Sequence, residues 1–552
     1  MRIRACVILA AFVALVSGCQ TGGAKRNSER PPLYEGMGSH HRAIATRSAM
    51  AQRYFDQGLV WMYAFNHDEA IRAFEEALRL DPQCAMAAWG VAVCLGPHIN
   101  NPILPPDRAA EAWQAVRRAG GLRRFARPAE QMLIDAVAQR YADPPPQDRS
   151  PLDKAYATAM REVWRKNPDD ADIATLYAES LMDLQPWDLW THDGKPKGAT
   201  EEIVAVIERA LEMNPNHPGA LHLYIHAVEA SYSPGRAAEA ADRLRNLVPA
   251  AGHLVHMPSH IDVRIGRWRQ AAEANERAIV ADEKYRKIAP NQGFYRVYMA
   301  HNRHFLAFTG MMEGRSAAAI KAAREMLGSV PAEFVQQNAA LVDPYTPIAI
   351  EALMRFGKWD DLLKEPAPPE ILPITTAFWR FARAVSHAAK GDVAAAEREQ
   401  AEFRAAVKRV PDGAMMAINP AEKVLRIADH MLEGEIAFRR GEIDKAVGQL
   451  RDAVAIEDDL QYMEPPDWVQ PVRHTLGAVL VSADRFAEAE QVYREDLKRW
   501  PNNGWSLLGM SKSLAGQGKQ AESAEAKRQF DVSWQRSDQS IGTSCVCIAP
   551  KE

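Results

Sequence analysis

The feature that most constrains the fold is a pattern of small and bulky side chains at helical spacing in residues 51–82. Gly58 and Ala70 leave room between two helices, and Trp61 and Phe74 are placed to fill it. The pattern returns with a period of 34 residues, which is typical of stacked helix pairs that bury their apolar faces against their neighbours. No segment alternates polar and apolar residues over a useful length, so the sequence predicts an all-α fold without a sheet.

Later repeats carry the same marks. The small residues are Ala237, Ala271, Ala319, Ala446, Gly477 and Ala489, and the helix-ending prolines are Pro215, Pro249, Pro331 and Pro501. A proline ends a helix because it lacks the backbone N–H and clashes with the preceding turn. The pattern resembles the tetratricopeptide repeat (TPR), and the resemblance implies a TPR-like α-solenoid of antiparallel helix pairs.

These marks suggest a division of the chain into five segments. They are a lipoprotein signal peptide (1–18), a linker (19–47), an N-terminal TPR-like array with a histidine-rich groove (48–331), a C-terminal TPR-like array (332–534) and a tail with a CxC motif (535–552). Within the arrays we expect loops near residues 97–107, 143–150 and 185–200 and an insertion at about 284–299. The loop at 185–200 is long for a helix connection, and we expect it to cover the groove.

The N-terminus has the character of a secretory signal. Arg2 and Arg4 precede an apolar stretch, residues 5–16, that is too short to span a bilayer. The sequence VSGC that ends at Cys19 resembles a bacterial lipobox. This resemblance implies cleavage before Cys19 and its modification with lipid such as palmitate, and Gln20 favours the periplasmic face of the outer membrane. The alternative is an ordinary signal peptide with an incidental cysteine.

Charge and cysteine content narrow the classes of partner. The net charge is −4 and no basic stripe is visible, so nucleic-acid binding has little support. In an oxidising compartment the remaining cysteines could pair. They are Cys84, Cys94, Cys545 and Cys547, and their pairing is left open, as is the choice between a metal and a disulfide for the CxC motif.

Histidines recur with the same period as the fold. His222 and His226 form one HxxxH pair, and His256 and His260 form another that lies 34 residues later. In TPR arrays the corresponding stripe of each repeat's first helix lines the concave groove. The candidate metal ligands on this stripe are His222, His226, Glu229, His253, His256, His260, His301 and His304.

Imidazole pairs on one helix face suit a transition metal such as zinc or copper. Seven histidines exceed one tetrahedral shell, so the pattern predicts either two metals or one metal with additional imidazoles around it. Glu229 is expected to be a ligand or to orient one. The alternatives are a hydrogen-bonded lining without metal and an anion site. His40, His41, His67 and His98 are further candidates for the same cavity, His67 more as a turn contact.

Three functions remain open from the sequence. The first is a lipid-anchored envelope protein whose groove binds a metal or small ligand, and the second is a protein-interaction scaffold. The third is a metal-dependent hydrolase with Glu229 or Asp262 as base, for which no HExxH motif, nucleophile motif or phosphate loop is found. Stretches such as HPGALHLYIHAVEAS and AGHLVHMPSHI resemble a group of bacterial TPR proteins, often lipoproteins. That resemblance implies protein or peptide binding and no particular reaction, so whether the chain is an enzyme stays open.

Overall fold

The computed structural model describes residues 30–548. The predicted signal peptide and Cys19 lie outside the described residues. Within them the chain is almost entirely helical, and the only strands are β1 (Met415–Met416) and β2 (Asn419–Pro420), which pair antiparallel. The prediction of an all-α, TPR-like α-solenoid is confirmed, with this short hairpin as the one departure.

The described residues form two compact units. The N-terminal unit contains residues 30–261 and 274–302, and the C-terminal unit contains residues 262–273 and 303–548. The helices of the N-terminal unit are α1 (Ala49–Tyr63), α2 (His67–Leu80), α3 (Ala85–Leu95), α4 (Pro106–Leu122), α5 (Pro128–Ala138), α6 (Ser150–Lys166), α7 (Ala171–Met182), α8 (Thr200–Met213), α9 (Pro218–Val228), α10 (Ala238–Leu244) and α11 (Gly252–His256). Three helices have residues in both units: α12 (Pro258–Arg264), α13 (Trp268–Ile288) and α14 (Arg296–Glu313).

The remaining helices belong to the C-terminal unit. They are α15 (Ser316–Gly328), α16 (Ala332–Gln337), α17 (Ala339–Val342), α18 (Ile348–Arg355), α19 (Trp359–Lys364), α20 (Pro373–Ala389), α21 (Val393–Val407), α22 (Ala421–Arg439), α23 (Ile443–Asp458), α24 (Val472–Ser482), α25 (Phe486–Arg499), α26 (Gly504–Gly516) and α27 (Gln520–Ser533). Single 3₁₀ turns occur at Arg123–Phe125, Pro234–Ala237, Gly293–Tyr295 and Asp343–Tyr345. Among residues 30–548, no helix combines the length and apolar content needed to cross a lipid bilayer.

Glycines set the closest helix contacts. The ring of Phe74 on α2 lies between Gly58 on α1 and Gly90 on α3, and a Cβ at either glycine would stand 2.7 Å or 2.6 Å from a ring carbon. Tyr493 in the C-terminal unit has Gly477 and Gly509 as its neighbours in the same way. The predicted close contact at Gly58 is confirmed.

The segment 284–299, expected as an insertion between repeats, is mostly helical. Helix α13 continues to Ile288, and α14 already begins at Arg296, so most of the segment is helix and only a short turn separates the two. The helix persists because no proline or glycine interrupts it before Pro290.

The cysteines divide into two kinds. Cys545 and Cys547 form a disulfide, whereas Cys84 and Cys94 are free and buried. The tail that carries the disulfide packs on the C-terminal unit, where the Ser544 hydroxyl donates to the carbonyl of His474 at 2.7 Å. The CxC motif therefore acts here as a disulfide, one of its two predicted roles.

Candidate metal centre

Six of the predicted ligands come together inside the N-terminal unit. The histidine cluster consists of His222 and His226 on α9, His253 and His256 on α11, His260 on α12 and His301 on α14. Each ring lies beside another ring of the cluster, with centroid separations such as 4.8 Å for His222 and His253 and 4.7 Å for His256 and His260. His226 and His260, which are 34 residues apart, have ring centroids 5.7 Å apart, so the equal offset of the two HxxxH pairs brings imidazoles from successive repeats together.

The cluster is buried rather than displayed on an open groove. His301 is half-buried, and the other five rings are at most 6% exposed. Aromatic rings close over them: Phe65 lies 4.5 Å from His222, and Tyr298 lies 4.2 Å from His253. The side chains predicted to line the groove are therefore enclosed by other side chains.

The first triad, His222, His226 and His253, has two imidazoles whose protons are fixed. His222 Nδ1 donates to the Tyr63 carbonyl at 2.7 Å, and His226 Nδ1 donates to Glu229 Oε1 at 3.0 Å. Because both partners only accept, each neutral ring keeps its lone pair on Nε2. His226 Nε2 is buried and has no hydrogen-bond partner within residues 30–548.

His253 completes the first triad. Its Nε2 lies 3.1 Å from His222 Nε2, and its Nδ1 is buried without a hydrogen-bond partner in the described part of the chain. If the His253 proton is on Nε2, a buried Nδ1 lone pair is left unsatisfied. If it is on Nδ1, two lone pairs face each other. Either tautomer therefore leaves an unfavourable free energy, from an unsatisfied nitrogen or from repulsion between lone pairs, that a bound cation would remove.

The second triad, His256, His260 and His301, is built in the same way. His256 Nδ1 donates to Asn275 Oδ1 at 2.7 Å, and His260 Nδ1 donates to Glu229 Oε2 at 2.6 Å. The two Nε2 atoms then face each other at 2.8 Å. His301 contributes a third ring, 4.7 Å from His256 between centroids, and its nitrogen lies within 4.8 Å of the other two ligand atoms.

Glu229 joins the two triads. One carboxylate oxygen accepts from His226 and the other from His260, and the side chain is 1% exposed. Burial alone would raise the pKa of Glu229, but the adjacent His260 and His226 lower it to about 2. A carboxylate with both oxygens engaged and so low a pKa orients imidazoles and is a poor general base.

Burial and neighbouring imidazoles keep three rings of the cluster neutral. Burial lowers the pKa of His222, His253 and His256 well below the ordinary value, and neighbouring imidazoles lower it further. These rings are therefore neutral at pH 7, which is the state that binds metals.

His217 and His40 form a second histidine group in the same unit, in which the proton of His217 is on Nε2 rather than on Nδ1. His217 Nδ1 accepts from the Ala220 backbone N–H at 3.1 Å, so its proton sits on Nε2 and is donated to Asp172 Oδ1 at 3.1 Å. His40 Nε2 and the Tyr63 hydroxyl contact the same oxygen. This group is a satisfied hydrogen-bond network, which places His40 outside the cluster.

The other candidates lie in different surroundings. The His98 ring contacts the Phe65 and His67 rings, each with centroids 4.5 Å apart. His41 is exposed and forms a hydrogen bond with Asp56 at 2.8 Å. His304 belongs to the C-terminal unit, where its ring contacts Tyr345 at 5.9 Å. Asp262, the alternative base, also belongs to that unit.

The segment 185–200 lies over the end of α9. The Trp187 ring meets His226 edge-on at 5.3 Å, and Trp190 Nε1 donates to the Ala227 carbonyl at 2.8 Å. A small pocket beside His226 is lined by Ile99, Met182, Gln185, Trp187 and Leu189. The expectation that this loop covers the histidines is met at His226.

Two aromatic residues that cover the cluster have left-handed backbones. Phe65 has a φ of 56° and Trp187 a φ of 59°, which is costly for bulky side chains. Such strain concentrates at functional sites, where surrounding structure holds it in place. It supports a role for this region beyond packing.

One segment of the chain is similar to a known repeat family. Residues 51–84 match the family described as tetratricopeptide repeat, and no curated protein sequence matches the chain. Among solved structures, the human IFIT1 dimer with m7Gppp-AAAA is 13% identical with a TM-score of 0.31, over 88% of this chain and 91% of that one. The APC/C hetero-tetramer Cut9-Hcn1 is 12% identical with a TM-score of 0.29, over 88% of this chain and 74% of that one. Likenesses at this level carry no argument about ligands or partners.

Proposed function

We propose that this tetratricopeptide-repeat protein binds a transition-metal ion in its buried histidine cluster. The observation that carries the proposal is the first triad. His226 Nε2 is a buried lone pair without a hydrogen-bond partner within residues 30–548, and it lies beside two imidazoles that already face each other. A packed interior rarely leaves such nitrogens unsatisfied.

Zinc or copper suits this donor set. The available donors are neutral imidazole nitrogens, which favour zinc, copper, nickel or iron over magnesium or calcium. The Nδ1 atoms of His222 and His226 are held by a backbone carbonyl and a carboxylate, the arrangement that fixes ligating histidines in metalloproteins.

Metal content of untagged protein tests the proposal. The wild type should retain or take up zinc or copper, and the double variant His226→Ala/His260→Ala should lose that capacity while its helical circular dichroism is kept. His40→Gln is the matched control, because it removes an imidazole of the same unit from outside the cluster. Wild-type protein that takes up neither metal at micromolar concentration would overturn the proposal.

A second function, binding of a protein or peptide partner, is favoured by the tetratricopeptide repeat at residues 51–84. The fold suggests this role, and it is compatible with a buried metal because the two would use different surfaces. The hydrolase alternative is weakened by Glu229, because both of its oxygens accept from imidazoles and a pKa of about 2 makes it a weak base.

Attachment to the cell envelope through lipid at Cys19 is also part of the proposed function. Its support is the lipobox-like VSGC sequence behind a short apolar segment with two arginines. Bacterial modification of this type adds several acyl chains, enough for stable anchoring. The outer membrane, with the protein facing the periplasm, is the location that Gln20 favours.

A further inference from the structure

We infer that the histidine cluster holds two metal ions, one in each triad, and that Glu229 couples them. This rests on the proposed function and goes beyond it by fixing the number of ions, their ligands and the link between them.

The first argument is that the nitrogens converge at two places. His222 Nε2 and His253 Nε2 lie 3.1 Å apart in the first triad, and His256 Nε2 and His260 Nε2 lie 2.8 Å apart in the second. Each triad groups its ligand atoms within 4.8 Å. Six imidazoles exceed the four positions of one tetrahedral shell, whereas three imidazoles leave only the fourth position to a non-protein ligand.

The second argument is the unfavourable contact inside the second triad. His256 donates its Nδ1 proton to Asn275, and His260 donates its Nδ1 proton to Glu229. Two neutral rings so fixed direct their Nε2 lone pairs at each other across 2.8 Å. A metal ion coordinated by both nitrogens at that point turns this repulsion into attraction.

The third argument is the position of Glu229. Its two oxygens orient one imidazole of each triad, at 3.0 Å for His226 and 2.6 Å for His260. The side chain is buried, so its negative charge acts on both triads without the screening of water. A glutamine at this position carries no negative charge, so both triads lose that field, and one of the two imidazoles also loses its accepting oxygen.

Stoichiometry after zinc loading and dialysis tests the inference. We expect two zinc ions per chain in the wild type and in the His40→Gln control. His222→Gln/His226→Gln and His256→Gln/His260→Gln should each retain one ion. Glu229→Gln should weaken both ions by about 10-fold to 100-fold in a competition titration with a chelator, the usual effect of removing an orienting partner. Glutamine keeps most of the side-chain volume, and titration of the wild type alone gives the number of ions if a variant does not fold.

The number of bound ions tests metal binding and the two-ion inference separately. One ion per wild-type chain overturns the two-ion inference and leaves metal binding intact. No ion in the wild type overturns both. Two ions with Glu229→Gln weakening only one of them overturns the coupling. Two ions in the His256→Gln/His260→Gln variant show that the second ion lies outside the second triad, which overturns its assignment.

Discussion

Replacing Gly58 with alanine tests how the repeats are held together. In an exposed helix interior this change removes the entropic cost of glycine and stabilises by about 0.5–1 kcal/mol. At Gly58 the new Cβ would stand 2.7 Å from the Phe74 ring. The ring cannot swing away, because Gly90 lies against its opposite edge and Phe74 is 0% exposed.

The magnitude follows from the difference between two glycines of the same unit. Gly120 lies on α4 with nothing within 4 Å of its would-be Cβ, so Gly120→Ala should show the gain alone. Overpacking a rigid core costs about 1–3 kcal/mol. We therefore expect the free energies of unfolding of Gly58→Ala and Gly120→Ala to differ by about 1–3 kcal/mol, with Gly58→Ala the less stable.

Urea unfolding followed by helical circular dichroism measures both variants. A fall in the midpoint with an unchanged slope reports a true loss of stability. In a Phe74→Leu background the smaller side chain should remove most of the penalty, which a double-mutant cycle measures as coupling between the two sites. If Gly58→Ala stabilises as much as Gly120→Ala, the close-contact argument is refuted.

Two further predictions concern other parts of the chain. Cys19→Ala should leave the precursor unprocessed or move the protein into the soluble fraction, and unchanged fractionation together with no lipid label on the wild type would contradict anchoring. Burial, with Arg108 nearby, lowers the pKa of His67 from 6.5 to about 3. Between these pH values His67 is protonated in the unfolded state and neutral in the folded state. Stability should therefore fall between pH 6.5 and pH 3 by up to about 1.4 kcal/mol per pH unit. His67→Gln should show a shallower fall in urea unfolding at pH 7 and pH 5, and equal slopes would contradict this.

The helical architecture could be predicted because its causes are local and periodic. The small residue at Gly58 and the ring at Phe74 recur with the period of the helix pair, and both are legible in the sequence. The approach of His226 to His260, whose ring centroids lie 5.7 Å apart, follows from the same period. Equal offsets place side chains at matching heights on neighbouring helices.

The surroundings of the cluster could not be predicted. The partner of His222 is the backbone carbonyl of Tyr63, and a backbone atom leaves no mark in a sequence. Asn275 is one polar residue among many on α13, and nothing in its spacing identifies it as the partner of His256. The burial was missed for a related reason, since Phe65 reaches the rings from a turn between helices.

The bond from His222 to Tyr63 joins residues 159 positions apart. A nascent chain therefore cannot assemble the cluster as it emerges, because the earliest repeat must wait for α9 and then for α14, which carries His301. Long-range closure of this kind is slow compared with the formation of the helices themselves. Metal capture would then be a late event of maturation. A metal ion could then bind only after the N-terminal unit has reached its native topology. Removal of the ion would lower the barrier to unfolding of that unit.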